Sequence, residues 1–121
     1  QEKIQIVTTL IDAFPFIKLF NGKTIVIKYG GAAQTEDALK EKFAKDIALM
    51  HLVGIKVVIV HGGGKKINEV LKRLDIKTEF IDGQRVTSVE NMEVVEMVLS
   101  GSVNKEITSL LNHNGAKAIG I

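Results

Sequence analysis

Cysteine is absent from the 121 residues, which excludes disulfides, thiolate metal sites and a cysteine nucleophile. Tryptophan is missing too, tyrosine occurs once and phenylalanine five times, a poor supply of rings for stacking single-stranded bases. Neither sign of charge dominates: sixteen Lys and Arg against fourteen Asp and Glu leave +2. Lys and Glu interleave through Glu36–Lys45 and Lys65–Glu79 as solvated helix faces, not as a basic stripe. No nucleic acid partner is expected. His51, His61 and His113 lack metal-ligand spacing, so no metal site is expected on them. No apolar run approaches the roughly 20 residues of a membrane span. Residues 4–20 are interrupted by Asp12 and Pro15 and lack a small-residue cleavage pattern. A membrane partner is therefore not expected, and cytoplasm or an organelle matrix is the expected location. The chain begins at Gln1 without Met and stops at Ile121 inside an expected strand, so both ends are expected to be cut.

Hydrophobic residues at 45% and charged residues at 25% are ordinary for one soluble domain with a real core. Ile4, Val7, Leu10 and Ile11 recur at helical spacing, and Pro15 is expected to end or kink that helix. An apolar segment from Phe14 to Phe20 follows, closed by an Asn21-Gly22 turn. Thr24–Lys28 and Lys56–Val60 are short β-branched runs expected to be buried parallel strands. The first leads through Gly30-Gly31 to a helix from about Glu36 to Leu52, with Leu39, Phe43, Ile47 and Met50 inward. The second leads through His61-Gly62-Gly63-Gly64 to a helix from about Lys65 to Leu74. Residues 78–87 carry an Asp82-Gly83 turn signal and suggest a short hairpin or a bent excursion. A long helix is expected from Val89 to Asn112, with Met92, Val95, Leu99, Val103, Ile107 and Leu110 inward. Ala116–Ile121 is expected to be a third buried strand. Strands alternating with helices point to an α/β fold, a mainly parallel sheet with helices packed on its faces.

Ligands in such sheets bind at the carboxyl ends of the strands. Gly30-Gly31 and Gly62-Gly63-Gly64 occupy two such ends. A helix N-terminus there offers unpaired N–H groups and about half a unit of positive charge. Glycine lets an anion approach that backbone closely. Lys28, two residues before the first pair, brings a cation to the same edge, and together these suit a phosphoryl group in transfer. A tight strand-to-helix turn requires glycine for structural reasons as well, so both readings stand. Gly22-Lys23-Thr24 imitates the end of a P-loop but lacks the earlier Gly and precedes a strand. Residues 61–67 lack Gly-x-Gly-x-x-Gly spacing, which disfavours a dinucleotide fold. Arg85 in Gly83-Gln84-Arg85-Val86-Thr87 suits bidentate carboxylate binding, and equally an ion pair with Glu79 or Asp82. His61 is placed to hydrogen-bond the glycine loop it opens.

Four segments together resemble the amino acid kinase family: Lys-Tyr-Gly-Gly at 28–31, Val-Val-Ile-Val-His-Gly-Gly-Gly at 57–64, Asp-Gly-Gln-Arg-Val-Thr at 82–87 and Gly-Ser-Val-Asn-Lys-Glu at 101–106. The last two resemble the branch that phosphorylates the side-chain carboxylate of N-acetyl-L-glutamate with ATP, in arginine biosynthesis. The resemblance implies a three-layer α/β sandwich around a mainly parallel sheet, incomplete here because the nucleotide-binding half would follow Ile121. It implies an amino-terminal helical extension at 1–22 and an acetylglutamate-binding and dimerisation domain at 23–121. Lys28 would stabilise the transferring phosphoryl group. Gly30 and Gly31 would hold the nucleotide's terminal phosphates, Gly62 and Gly63 would bind acetylglutamate, and Arg85 would grip its carboxylate. ATP with Mg²⁺ would be the co-substrate, with no tightly bound cofactor and no resident metal. The resemblance further implies a homodimer, a hexamer through the amino-terminal helix, arginine as inhibitor and a PII protein as partner, in cytoplasm or plastid stroma. Ala32-Ala33-Gln34 departs from the Asn-Ala-Met of many relatives. The fragment alone is expected to be inactive. The rival expectations are a carbamate, aspartate or uridylate kinase, and a non-catalytic regulatory module.

Overall fold

The computed structural model describes residues 2–121. Helix α1 (Glu2–Phe20) leads through a turn to strand β1 (Thr24–Tyr29). A short 3₁₀ turn (Gly31–Gln34) precedes α2 (Asp37–Leu52), followed by β2 (Lys56–His61) and α3 (Gly64–Arg73). The hairpin β3 (Glu79–Ile81) and β4 (Gln84–Val86) comes next, then α4 (Val89–Glu96), a π-helical segment (Met97–Val103) and α5 (Asn104–His113).

β1 and β2 pair in parallel, from Thr24↔Lys56 to Tyr29↔His61. Because side chains alternate along a strand, Ile25, Ile27 and Tyr29 share one face with Val57, Ile59 and His61. That face carries the core, where Ala44 and Ile47 of α2, Ile67 and Leu71 of α3, and Ile107 and Leu111 of α5 gather. Leu71 is fully buried, a contribution of about 1.5–3 kcal/mol. The opposite face, with Val26, Lys28, Val58 and Val60, is exposed, so the two strands expected to be buried are covered on one face only. The α/β class with a parallel sheet is therefore present in incomplete form, with helices over one sheet face. The hairpin also forms where its turn signal predicts. Asp82 and Gly83 both take positive φ, 50° and 77°, the conformation a two-residue turn of this hand demands.

Three further local expectations fail, each for a physical reason. α1 does not end at Pro15 but continues to Phe20. The proline leaves the Ile11 carbonyl without its helical donor, but Ile11 is exposed and water can serve that carbonyl. Ala116–Ile121 forms no strand. Side chains take its backbone groups instead: Asn112 bonds both the N–H and the carbonyl of Ala118, and Lys105 Nζ donates to the Gly120 carbonyl at 3.1 Å. In the long helix the expected inward set is partly out of phase. Met92 is exposed, and among the described residues the buried positions are Asn91, Val94, Val98, Val103, Asn104, Ile107 and Leu111. The step from Val98 to Val103 is five residues, because the π-helical segment inserts one extra residue into the turn.

Candidate active site

The register Tyr29↔His61 ends β1 and β2 side by side, and the last cross-strand bond runs from the Gly62 N–H to the Tyr29 carbonyl at 3.3 Å. Both glycine turns therefore leave the same sheet edge together. Between them lies a cleft of about 420 Å³ whose lining includes Gly31, Gln34, Thr35, Gly63, Gly64 and Lys65. α3 begins at that cleft without a side-chain cap, so its first backbone N–H groups are free for an anion. The Gly30-Gly31 turn enters a four-residue 3₁₀ turn instead of α2 directly. Only one of the two expected α-helix N-termini thus abuts its glycines.

Tyr29 fixes the first turn from beneath. Its ring stacks on Phe43 at 3.9 Å, and its hydroxyl donates to the Ala33 carbonyl at 2.8 Å. Burial pushes its hydroxyl pKa up, Lys40 opposes that, and Glu106 adds to it. Lys40 Nζ donates to Glu106 Oε1 at 2.7 Å, joining α2 to α5, and this bond is the main cause of its raised pKa.

Lys28 is exposed on the uncovered sheet face, paired with Val60 in the ladder, and takes no part in lining the cleft. Arg85 is also outside that lining. Its guanidinium donates to Asn68 Oδ1 of α3 and lies over the Phe80 ring, 4.8 Å from the centroid. Among the described residues it forms no ion pair with Glu79 or Asp82, and its Nη1 is buried without a protein partner. A spare buried donor on a rigid fork, tied to the helix that starts at the glycine turn, fits a carboxylate.

Three side chains at this edge had no role assigned from sequence. Gln34 Nε2 donates to the Gly62 carbonyl at 2.6 Å, joining the two turns. Asn104, buried at the start of α5, places Nδ2 3.4 Å from His61 Nε2. Asn68 anchors Arg85. His61 itself behaves as its position before the loop suggested, with Nδ1 3.1 Å from the Gly62 carbonyl. Asn104 stood inside the Val-Asn-Lys segment and Gln34 inside the Ala32-Ala33-Gln34 departure, which marked both positions without their contacts; nothing in the sequence marked Asn68.

A family model described as the amino acid kinase family matches residues 23–121. The chain belongs to the amino acid kinase family. The match starts after α1, which therefore lies outside the shared portion. Among curated relatives, the acetylglutamate kinases of a Nitratiruptor species and of Sulfurimonas denitrificans are 68% and 69% identical over 121 residues. Each alignment covers 100% of this amino acid kinase chain and 43% of the relative, so the chain spans less than half their length. Among solved structures, N-acetylglutamate synthase from Neisseria gonorrhoeae, complexed with coenzyme A and N-acetyl-glutamate, superposes with a TM-score of 0.72 at 24% identity. That alignment covers 90% of this chain and 25% of the synthase, and it supports the fold. Among the described residues, no helix is long and apolar enough to cross a membrane.

Proposed function

We propose that the intact protein phosphorylates the side-chain carboxylate of N-acetyl-L-glutamate with ATP, giving N-acetylglutamyl 5-phosphate for arginine biosynthesis. The observation that carries this is the pair of glycine turns on neighbouring strand ends, with Arg85 tied to α3. The name shared by relatives 68% and 69% identical over the whole chain supports the choice of acceptor.

In this reading residues 1–22 are an extension and residues 23–121 are the acetylglutamate-binding and dimerisation unit. Gly63 holds the substrate through its main-chain N–H, Gly62, whose own N–H is taken by the Tyr29 carbonyl, lets the substrate approach the loop, and Arg85 takes its carboxylate through the spare Nη1. Gly30 and Gly31 meet the terminal phosphates of the nucleotide. Lys28, on a four-carbon stem at the strand end, neutralises charge on the phosphoryl oxygens as the acceptor oxygen attacks in line. The acceptor is already ionised, so the chain needs no general base, and His61 serves the loop through hydrogen bonds. Among the described residues no group of three or more His, Asp or Glu is placed to hold a metal ion. Mg²⁺ enters as part of the MgATP substrate. The mostly exposed apolar α1, with Phe14 at 62% and Phe16 at 64% exposure, supports assembly through this helix. Homodimer or hexamer formation, inhibition by arginine, a PII partner and a cytoplasmic or plastid setting belong to the same reading.

The test is an acceptor panel on the full-length protein with MgATP and hydroxylamine, which traps acyl phosphates as hydroxamates. Turnover confined to N-acetylglutamate is expected. Turnover with carbamate or aspartate instead assigns another member of the family, as does ADP release with uridylate measured without the trap, and none with any acceptor leaves a regulatory module.

A further inference from the structure

The Gly62 carbonyl accepts from two side chains at once, Gln34 Nε2 at 2.6 Å and His61 Nδ1 at 3.1 Å. His61 can donate there only from Nδ1–H, which leaves Nε2 as the acceptor for the Asn104 amide at 3.4 Å. One tautomer thus satisfies both contacts. In a trans peptide the N–H of the next residue points opposite to the carbonyl, and no peptide here is cis. Holding the Gly62 oxygen therefore aims the Gly63 N–H away from Gln34 and His61. Among the described residues that N–H has no hydrogen-bond acceptor, and Gly63 lines the cleft.

Gly63 is also held sterically. A Cβ there would lie 2.8 Å from Leu99 Cδ2 and 3.2 Å from Val103 Cγ2. The peptide is consequently fixed on one side by packing and on the other by two donors. The π-helical segment sets the phase of α5 and with it brings Asn104 beneath His61.

We propose that Gln34 and His61, with Asn104 behind His61, are positioning residues that lock the Gly62–Gly63 peptide with its N–H presented to the acceptor substrate. The proposal rests on the kinase reading above. A free peptide would turn between orientations, and only one presents the donor to an anion. Preorganised donors act more strongly than those that must reorient, because no rearrangement accompanies binding or reaction. A misplaced reacting group is costly in rate.

The experiment measures kcat and both KM values in the full-length enzyme for Gln34→Met, Gln34→Glu, His61→Asn and His61→Phe. Gln34→Met keeps the bulk without the donor, and about a tenfold loss in kcat/KM for N-acetylglutamate is expected, with KM for ATP unchanged. Gln34→Glu sets a carboxylate against the Gly62 carbonyl and is expected to lose more. His61→Asn keeps a donor near Nδ1 and is expected to recover most of what His61→Phe loses. Equal wild-type constants in Gln34→Met and Gln34→Glu overturn the proposal. So does a parallel rise in both KM values, which signals general loosening of the fold. Should a variant fail to fold, binding of N-acetylglutamate by calorimetry to the other three decides by the same order. A wild-type enzyme inactive on N-acetylglutamate fails the kinase reading instead, a separate result.

Discussion

The two glycine turns look alike in sequence and use glycine for different reasons. At the first, Gly31 takes φ of +63°, a left-handed conformation that other residues adopt at a cost, with open space where a side chain would stand. At the second, Gly63 has an ordinary extended φ of −172°, but a Cβ would strike Leu99 and Val103. One turn needs glycine for its backbone angle, the other for its neighbours. Gly30 and Gly62 need it for neither, since nothing lies within 4 Å of a Cβ and neither has a positive φ. Neither backbone angle nor packing accounts for glycine at these two positions.

The largest effect expected is catalytic and falls at the first turn's strand. Lys28→Ala in the full-length enzyme should lower kcat by about 10²–10³, measured by product formation at saturating substrates. An unchanged rate would favour the regulatory reading. Next comes packing at the second turn: Gly63→Ala should lose about 1–3 kcal/mol in chemical denaturation, and Leu99→Ala in the same chain should return part of it. Gly31→Ala should lose roughly 1–2 kcal/mol from its left-handed angle alone, with no relief from Leu99→Ala. That contrast separates conformational from steric need.

The smallest effect belongs to Tyr29→Phe, which removes the hydroxyl bond that anchors the first turn at Ala33 and should cost about 1 kcal/mol at neutral pH. Its pH dependence has a definite sign. Tyr29 is raised above its ordinary 10.0 when folded, chiefly by burial. Its contribution is therefore complete below the unfolded value and is lost as pH rises through the folded value. The variant should show a shallower alkaline decline in denaturation midpoint.

The two paired strands, the hairpin and the helix starts were legible because each carries a local signal, whereas Ala116–Ile121 carries a similar signal and forms no strand. β-branched runs, Asp82-Gly83 and the glycine pairs all act within a few residues. The phase of the long helix was not legible, because the π-helical insertion near Leu99–Ser102 has no composition that marks it. A constant helical period carried back from Ile107 places Met92 inward, whereas the extra residue turns Val94 and Val98 to the core. Pro15 does not end its helix, because its missing N–H is tolerated where the helix is exposed. Of the residues singled out in the sequence, Gly31, Gly63 and Gly64 line the cleft, whereas Lys28, Gly30 and Gly62 stand outside its lining. The contacts of Gln34 to Gly62 and Asn68 to Arg85 join elements distant in the chain, and no local pattern encodes them.

Central to the proposed function is a division of labour, in which the second turn holds the acceptor and the first holds the nucleotide. Gly30→Ala and Gly62→Ala test it directly, because both positions accommodate a Cβ in the folded chain. With the full-length enzyme, Gly62→Ala should raise KM for N-acetylglutamate and spare that for ATP, and Gly30→Ala should do the reverse. Both substitutions leaving both KM values untouched, or the two effects exchanged, would contradict it.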